Sequence, residues 1–435
     1  MIFTDLVGII ADDLTGANDT ALQFHNLGAK TKILLDTSYV PDRKDVTEVW
    51  AISSESRNCN DIESLMRVEN AVKTLEDKFS IEYYYKKIDS TIRGHIALET
   101  LAMLDILGYD AAIIIPAFPQ EGRITVGGYH LLKGVPIGRT EMAMDPHSPI
   151  SESYIPALLK SQLKEEQQEL VGMLDLKTVM NGAGPILMKI NELVSKGKKL
   201  IIADSTSITD IEQIALAIKK SDKKLLPAGT AAGAQVFGKY WLADVDAEKE
   251  TLKLPKMPKL IISGTATQIT ADQIQKLEDS DDYANVNFIP LEMRDILCGI
   301  DDELVSRIVT NLKSGVTVCV HTSHLITNFD GFSDESFTAE LTKEKFASMI
   351  TDYLAELTKQ VLSETSAILI TLGGETSYKC CSKIGSKMLR LVDEVALAIS
   401  ISFDSHGQWI VTKSGNLGKS KTLIDILDYF GFHEE

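Results

Sequence analysis

The chain has 435 residues, 44% of them hydrophobic and 24% charged, an ordinary globular composition that excludes disorder as its main state. Lysine and arginine number 44 against 62 aspartates and glutamates, a formal charge of −18. That balance argues against nucleic acid and anionic membrane surfaces as partners, and any site for an anionic small molecule must gather its cations locally.

No run approaches the ~20 apolar residues of a membrane span. The first residues, Met1 to Asp5, carry no basic segment and lead straight into a strand-like run, so no secretory signal is expected. Cys59, Cys298, Cys319, Cys380 and Cys381 show no Cys-x-x-Cys spacing. The adjacent pair Cys380 and Cys381 reads as buried helix rather than metal or redox chemistry, and the expected compartment is the reducing cytoplasm.

Short apolar runs alternate with amphipathic stretches along the chain. Strands are expected at Leu6–Ala11, Thr31–Leu35, Glu48–Ser53, Glu82–Lys86, Ala111–Pro116, Lys199–Ala203 and Lys224–Pro227. Further ones follow at Lys259–Ser263, Val286–Pro290, Val316–His321, Ala367–Thr371 and Val395–Ser400. Helical periodicity marks Asp19–Leu27, Ile62–Phe79, Ile208–Lys219, Ala266–Leu277, Lys343–Leu362 and Ser377–Leu391. This alternation predicts an α/β fold in which each sheet is mainly parallel with helices on both faces. Ligands in such sheets bind beyond the carboxyl ends of the strands. The charged, proline-containing stretch Trp241–Lys259 shows no clean period and divides the chain into two domains, 1–245 and 259–435, joined by a linker over 246–258. Residues Ala117–Ile150 form a second irregular region, expected to hold turns and short strands.

Three neighbouring strands of the first domain end in polar clusters. The first ends in Ala11-Asp12-Asp13-Leu14-Thr15-Gly16. Aspartate is a poor strand former, so two together need a reason. Asp13 or Thr15 is expected to cap the following helix, leaving Asp12 for a ligand. The third strand ends in Ser53-Ser54-Glu55-Ser56-Arg57, and the Arg57 fork is expected to grip a substrate carboxylate. The fourth ends in Lys86-Lys87-Ile88-Asp89-Ser90-Thr91-Ile92-Arg93. Such a cluster, with Asp89 and the cation Arg93 in it, can hold an anion and orient a hydroxyl. A solvated turn with surface ion pairs is the competing reading of each cluster.

In the second domain the strands end in glycine. Ser263-Gly264-Thr265, Gly373-Gly374-Glu375-Thr376 and Lys413-Ser414-Gly415 each lead toward a helix or turn. Glycine lets backbone N–H groups approach phosphate oxygens, and a helix N-terminus adds partial positive charge. Three such turns in one domain favour nucleotide binding over plain tight turns. Gly418-Lys419-Ser420 lacks the spacer of a phosphate-binding P-loop, no G-x-G-x-x-G follows a strand, and the eight histidines fall into no metal-ligand spacing.

The segments Ala11–Asp19, Lys87–Gly94, Thr371–Thr376 and Thr412–Gly418, in this order, resemble the four-carbon acid sugar kinases over nearly the whole chain. The resemblance implies an N-terminal sugar-acid domain and a C-terminal ATP domain, with ATP phosphorylating a tetronate on its terminal hydroxyl. It implies substrate residues Asp12, Arg57, Lys87, Ile88, Asp89 and Ser90, and nucleotide residues Ser263, Gly373, Gly374, Glu375, Thr376 and Gly415. Lys413 is added from its place in the third glycine turn. Glu375 stands where the family usually has aspartate, Asn416-Leu417 where it has glycine-phenylalanine, and Glu394–Ser400 departs from the family's proline- and glycine-containing segment. Ser54–Arg57 and Tyr85–Ser90 look most like the D-threonate kinases of the family.

Mg²⁺ is expected with ATP, with no protein ligand assigned. Asp12 is expected as general base and Asp89 as substrate orienter, because Lys86, Lys87 and Arg93 lie near Asp89 in sequence and would depress its basicity. A non-catalytic two-domain binding or sensory protein for a small sugar acid is the alternative. The absent dinucleotide fingerprint disfavours a dehydrogenase. Oligomeric state is left open, a homo-oligomer included.

Overall fold

Val7–Ala11 is buried at every position, as a central parallel strand covered on both faces requires. The computed structural model describes residues 7–41, 46–144, 148–242, 254–265, 267–327, 343–396 and 398–433. It divides into one unit of Met1–Ile33 with Val40–Ala247 and a second of Leu34–Tyr39 with Glu248–Glu435. Of the expected linker, residues 246–253 lie outside the described residues.

The first unit carries β1 (Val7–Ala11), β2 (Thr31–Leu34), β3 (Val49–Ser53), β4 (Tyr83–Lys87), β5 (Ala111–Ile115), β6 (Arg123–Val126), β7 (Tyr129–Leu132), β8 (Val135–Pro136), β9 (Val171–Leu174), β10 (Leu200–Ala203) and β11 (Leu225–Gly229). Its main sheet runs β2-β3-β1-β4-β11-β5-β10-β9. It is parallel from β3 through β9. The chain winds to one side of β1 through β2 and β3, then crosses to the other side with β4. That reversal opens a crevice at the carboxyl ends of β1 and β4. Helices Leu14–Asn26, Ala183–Ser195, Ile208–Lys219 and Ala231–Trp241 pack in one contiguous layer, while Asp61–Lys78 and Ile96–Leu107 pack against each other separately. Strands β6, β7 and β8 form a separate antiparallel sheet within the irregular region, of which 145–147 lie outside the described residues.

The second unit carries β12 (Lys259–Ser263), β13 (Asn287–Pro290), β14 (Val318–His321), β15 (Ile368–Leu372), β16 (Met388–Ala396), β17 (Ile399–Asp404) and β18 (Trp409–Lys413). Their order is β13-β14-β12-β15-β18-β17-β16. The strands are parallel up to β18, after which β17 and β16 are antiparallel. Here the chain reverses about β12, and the crevice lies at the ends of β12 and β15.

Two expectations fail around residue 390. The helix expected over Ser377–Leu391 is Gly374–Lys383. The Gly385 N–H donates to Ser382 O and the Ser386 N–H to Cys381 O, the paired bonds that close a helix on a left-handed residue. The apolar residues beyond then enter β16. The strand expected over Val395–Ser400 is instead the end of one strand and the start of the next. Ala396 pairs with Ile399 across an antiparallel ladder, so the chain reverses between them. Leu397 lies outside the described residues. The helix expected from Asp19 begins at Leu14, because Asp13 caps it. Strands β9 and β18 were not anticipated. Cys380 and Cys381 are buried helix residues, as expected.

Adjacent strand residues point to opposite faces, and Lys86 and Lys87 follow that rule. Lys86 is fully buried, its Nζ 2.6 Å from Glu99 Oε2 on the helix Ile96–Leu107. The Ser56 and Ser64 hydroxyls donate to the other Glu99 oxygen at 2.6 and 2.9 Å. Removing one member of such a pair strands a buried charge. Lys86→Met is therefore expected to lower stability by ~3–5 kcal/mol, and Lys86→Met combined with Glu99→Leu to recover most of it, measured by urea denaturation.

Candidate functional site

In the first unit the ends of β3, β1 and β4 lie level, with Ala11 opposite both Ser53 and Lys87. The residues just beyond them meet. The Arg57 guanidinium donates to Asp12 Oδ2 through Nε and to Asp12 Oδ1 through Nη2, both at 2.8 Å. Its Nη1 donates to Asp13 Oδ2 at 2.6 Å, and Nη2 lies 3.8 Å from Asp89 Oδ1. Asp13 also caps the helix Leu14–Asn26, accepting from the Gly16 N–H at 2.8 Å and the Thr15 hydroxyl at 2.9 Å. Asp89 accepts from Arg93 Nε at 2.7 Å and Nη2 at 3.2 Å, and from the Thr91 hydroxyl.

Sequence reasoning left Asp12 free and gave the Arg57 fork to a substrate. In the structure each takes up the other, across 45 residues of chain. The reasoning on basicity also changes. Burial pushes the Asp12 carboxyl up, but the charge and hydrogen bonds of Arg57, with Lys86 and Lys87 behind, hold it below its usual value. Burial likewise raises Asp89, and Arg93 and Arg57 outweigh it to hold that carboxyl well below the usual range. Both are carboxylates at neutral pH, so neither is distinguished as the only group with cations beside it. Lys86 pairs with Glu99 and acts on Asp12 only through its charge.

Lys87 lies beneath the turn, its Nζ donating to Ile88 O at 3.0 Å and lying 4.0 Å from Asp19 Oδ1. The Ile88 N–H donates to Gly229 O at 2.9 Å. Ser90 is half-buried, and its hydroxyl has no hydrogen bond among the described residues. Asp19, not singled out from the sequence, has its carboxyl pushed up to about 6 by burial, against the pull of Lys87. Burial pushes the Glu55 carboxyl up to about 8. Glu55 and Ile92 both hold positive φ, 50° and 60°, so backbone strain collects in the two turns that carry these groups. A cavity of about 250 Å³ opens beside Arg57, lined also by Asn58, Cys59, Gly94, His95, Ser148 and Gln162.

In the second unit Ser263, Leu372 and Lys413 end neighbouring parallel strands β12, β15 and β18. Gly373 has φ 113° and opens the helix Gly374–Lys383. A Cβ on Gly415 would lie 2.3 Å from Thr265 Oγ1, so the turns approach each other too closely for a side chain. The Gly415 carbonyl accepts from the Thr267 and Thr270 hydroxyls at 2.7 and 2.8 Å. Thr376 is buried, and Ser263 Oγ is buried without a hydrogen bond among the described residues. Glu375 faces Lys379 and the Thr351 hydroxyl, each at 3.1 Å. Lys413 is fully buried, its Nζ donating to Thr270 Oγ1 at 3.1 Å and Ser414 O at 2.9 Å. It supports the turn from below.

Residues 7–237 match the family model of a sugar-binding N-terminal domain, and residues 260–423 that of a nucleotide-binding C-terminal domain. The chain belongs to the four-carbon acid sugar kinase family. It is a sugar-acid kinase, a phosphotransferase that uses ATP. Curated relatives include the D-erythronate kinase of Heliobacterium modesticaldum, 27% identical over 97% of this chain and 96% of that protein. The D-threonate kinase of Salmonella typhimurium is 24% identical over 97% of each. The 3-oxo-tetronate kinase of Haemophilus influenzae is 25% identical over 95% of this chain and 97% of its own. Among solved structures, a Haemophilus influenzae protein superimposes with TM-score 0.71 at 22% identity, covering 97% of this chain and 100% of that one. A Salmonella typhimurium protein gives 0.75 at 19% identity, over 97% and 98%. These two likenesses establish the kinase's fold.

In this kinase Lys413 provides a pH signature. Burial holds its ammonium down to about 7, against 10.5 as the ordinary value. Below pH 7 folded and unfolded chains both carry the proton, and the full cost of burying the charge applies. Between pH 7 and 10.5 only the unfolded chain keeps it, so stability rises with pH. Relative to Lys413→Met, the wild type should gain about 2 kcal/mol between pH 7 and 9 in chemical denaturation.

Proposed function

We propose that this kinase transfers the γ-phosphoryl group of ATP to the terminal hydroxyl of a four-carbon sugar acid of the D-erythronate, D-threonate or 3-oxo-tetronate type. The observation that carries this reading is the level set of strand ends in the sugar-binding unit, where Asp12, Arg57, Lys87, Asp89 and Arg93 gather. Relatives bearing those three names align over nearly their whole length. Ile88 and Ser90 complete the substrate-facing run after β4. In the nucleotide-binding unit, Ser263, Gly373, Gly374, Thr376 and Gly415 are proposed to cradle the phosphates, with Glu375 and Lys413 holding the turns in shape.

The hydroxyl oxygen attacks the γ-phosphorus, the bond to the ADP oxygen breaks, and the hydroxyl proton passes to a carboxylate. We assign that role to Asp12. Each of its oxygens accepts one bond from Arg57 and keeps a lone pair for the sugar hydroxyl. A loose transition state asks mainly for positioning and charge stabilisation, so a carboxylate of low basicity suffices. Asp89 holds Arg93 and orients the substrate. Among the described residues no group of three or more histidine, cysteine, aspartate or glutamate side chains gathers to hold a metal. Mg²⁺ is accordingly proposed to arrive on the ATP phosphates, and no step is assigned to it. No helix among the described residues is long and apolar enough to cross a membrane, and we place the activity in the cytoplasm, where ATP is supplied.

A panel of the three tetronates with ATP and Mg²⁺, scored for ADP release, should show turnover of at least one. A sugar acid that binds without any ADP release would instead favour a binding protein. Asp12→Asn should cut kcat by on the order of 10²–10⁴ with substrate Kd nearly unchanged. If Asp89→Asn loses turnover while Asp12→Asn keeps it, the two roles are exchanged.

A further inference from the structure

The charged groups around the sugar-acid site pair off almost completely. Arg57 serves Asp12 and Asp13, Arg93 serves Asp89, and Lys87 lies near Asp19. A substrate that brings its own carboxylate therefore needs a cation outside these pairs. Arg123, on β6, is that cation. It is 7% exposed, its Nε has no hydrogen bond, and its guanidinium makes no ion pair among the described residues. A buried guanidinium left without a hydrogen-bonding or ion-pair partner is costly, and an anion that takes up its fork would offset that cost.

Position on the small sheet aims it at the site. Burial alternates along β6, with Arg123 and Thr125 inward and Ile124 and Val126 half-buried. Thr125 pairs with His130 of β7, so those two side chains share the inward face with Arg123. That face meets the run after β4: His130 Nε2 donates to Ser90 O at 2.9 Å, while Thr125 Oγ1 donates to Nδ1 at 3.2 Å. A carbonyl can only accept, so the proton sits on Nε2. Burial pushes the His130 imidazole down to about 4 and keeps it neutral beside Arg123. The turn between β6 and β7 is anchored in turn, the Gly127 and Gly128 N–H groups donating to Asp204 at 2.7 and 2.9 Å. Burial lowers the Arg123 pKa, and the charge of Asp89, strongest of those acting on it, compensates only in part.

We infer that Arg123 is the residue that binds the substrate's carboxylate, in the role that motif spacing assigned to Arg57. The guanidinium fork matches a planar carboxylate through two parallel bonds. The substrate carries that charge throughout the reaction, whereas the transferring phosphoryl group is present only transiently. Arg57 then acts as the brace that fixes Asp12.

This rests on the reading of the first unit as a sugar-acid site, and a binding experiment without ATP separates the two. Calorimetry compares the tetronate that the wild type binds best with its uncharged amide. The wild type should prefer the acid. Arg123→Met should weaken acid binding on the order of 10–100-fold while amide binding changes little, and Arg123→Lys should fall between. Structural damage would weaken both ligands together, so the acid-to-amide ratio is the decisive reading. An unchanged ratio in Arg123→Met, or in Arg123→Lys if the first variant does not fold, overturns the proposal. So does a lowered kcat with the ratio intact, which would assign Arg123 to the phosphoryl group, and so does a wild type with no preference for the acid. Loss of the ratio in a chain that releases no ADP would overturn the kinase reading and leave this one standing.

Discussion

The Arg57 guanidinium ties two strand ends together and reaches toward a third. Asp12 and Asp13 follow β1, Arg57 follows β3 and Asp89 follows β4, and one planar group bonds the first two and lies 3.8 Å from the last. Four buried carboxylates and cations could not otherwise share so small a volume, because each alone would be driven toward its neutral form. With the fork in place Asp12 and Asp89 stay ionised. Asp13 can serve as a helix cap and an ion-pair partner at once. The remaining geometry follows: the helix Leu14–Asn26 starts where Asp13 caps it, and that start sets where Asp19 meets Lys87.

The two units solve different electrostatic problems with the same order over their first four strands. Each is a doubly wound sheet whose chain reverses about its first strand, which leaves a crevice at the strand ends. In the first unit the crevice is filled by side-chain charges, Asp12, Asp13, Asp19 and Asp89 against Arg57, Arg93 and Lys87, with Arg123 in no ion pair among the described residues. In the second it is lined by backbone. Gly373 and Gly415 bring two turns close to Thr265, and the threonine hydroxyls of the helix Gln268–Glu278 and its approach hold the Gly415 carbonyl. Sugar acids differ by the position of single polar groups, which side chains can read. Phosphates present the same oxygens in every nucleotide, and backbone N–H groups suffice for them.

Strand identity was legible wherever a strand is buried on both faces. Val7–Ala11, Lys259–Ser263 and Ile368–Leu372 are continuous apolar runs ending in polar or glycine residues, and that contrast lies within a few neighbours along the chain. Legibility fell near residue 390. The stretch 388–404 alternates too irregularly for its apolar residues to separate a helix from two antiparallel strands, and the decisive feature is a single helix-closing turn at Gly385. The unequal fates of Lys86 and Lys87 were implicit in the strand period, yet Glu99 as the partner of Lys86 was not.

By itself the sequence determined which residues stand at strand ends, since apolar runs, caps and glycines act over three or four positions. It placed Asp12, Arg57, Lys87, Asp89 and Arg93 at one edge and the glycine turns at another. Only the tertiary structure decided which charge meets which. Arg57 reaches Asp12 because β1 and β3 are neighbours in register, and Arg123 comes within electrostatic reach of Asp89 on a three-stranded sheet pinned by His130 to Ser90. Such pairings depend on strand order and on which face a side chain takes. Shifting the register by one residue reverses that face and leaves the residue types along the chain unchanged.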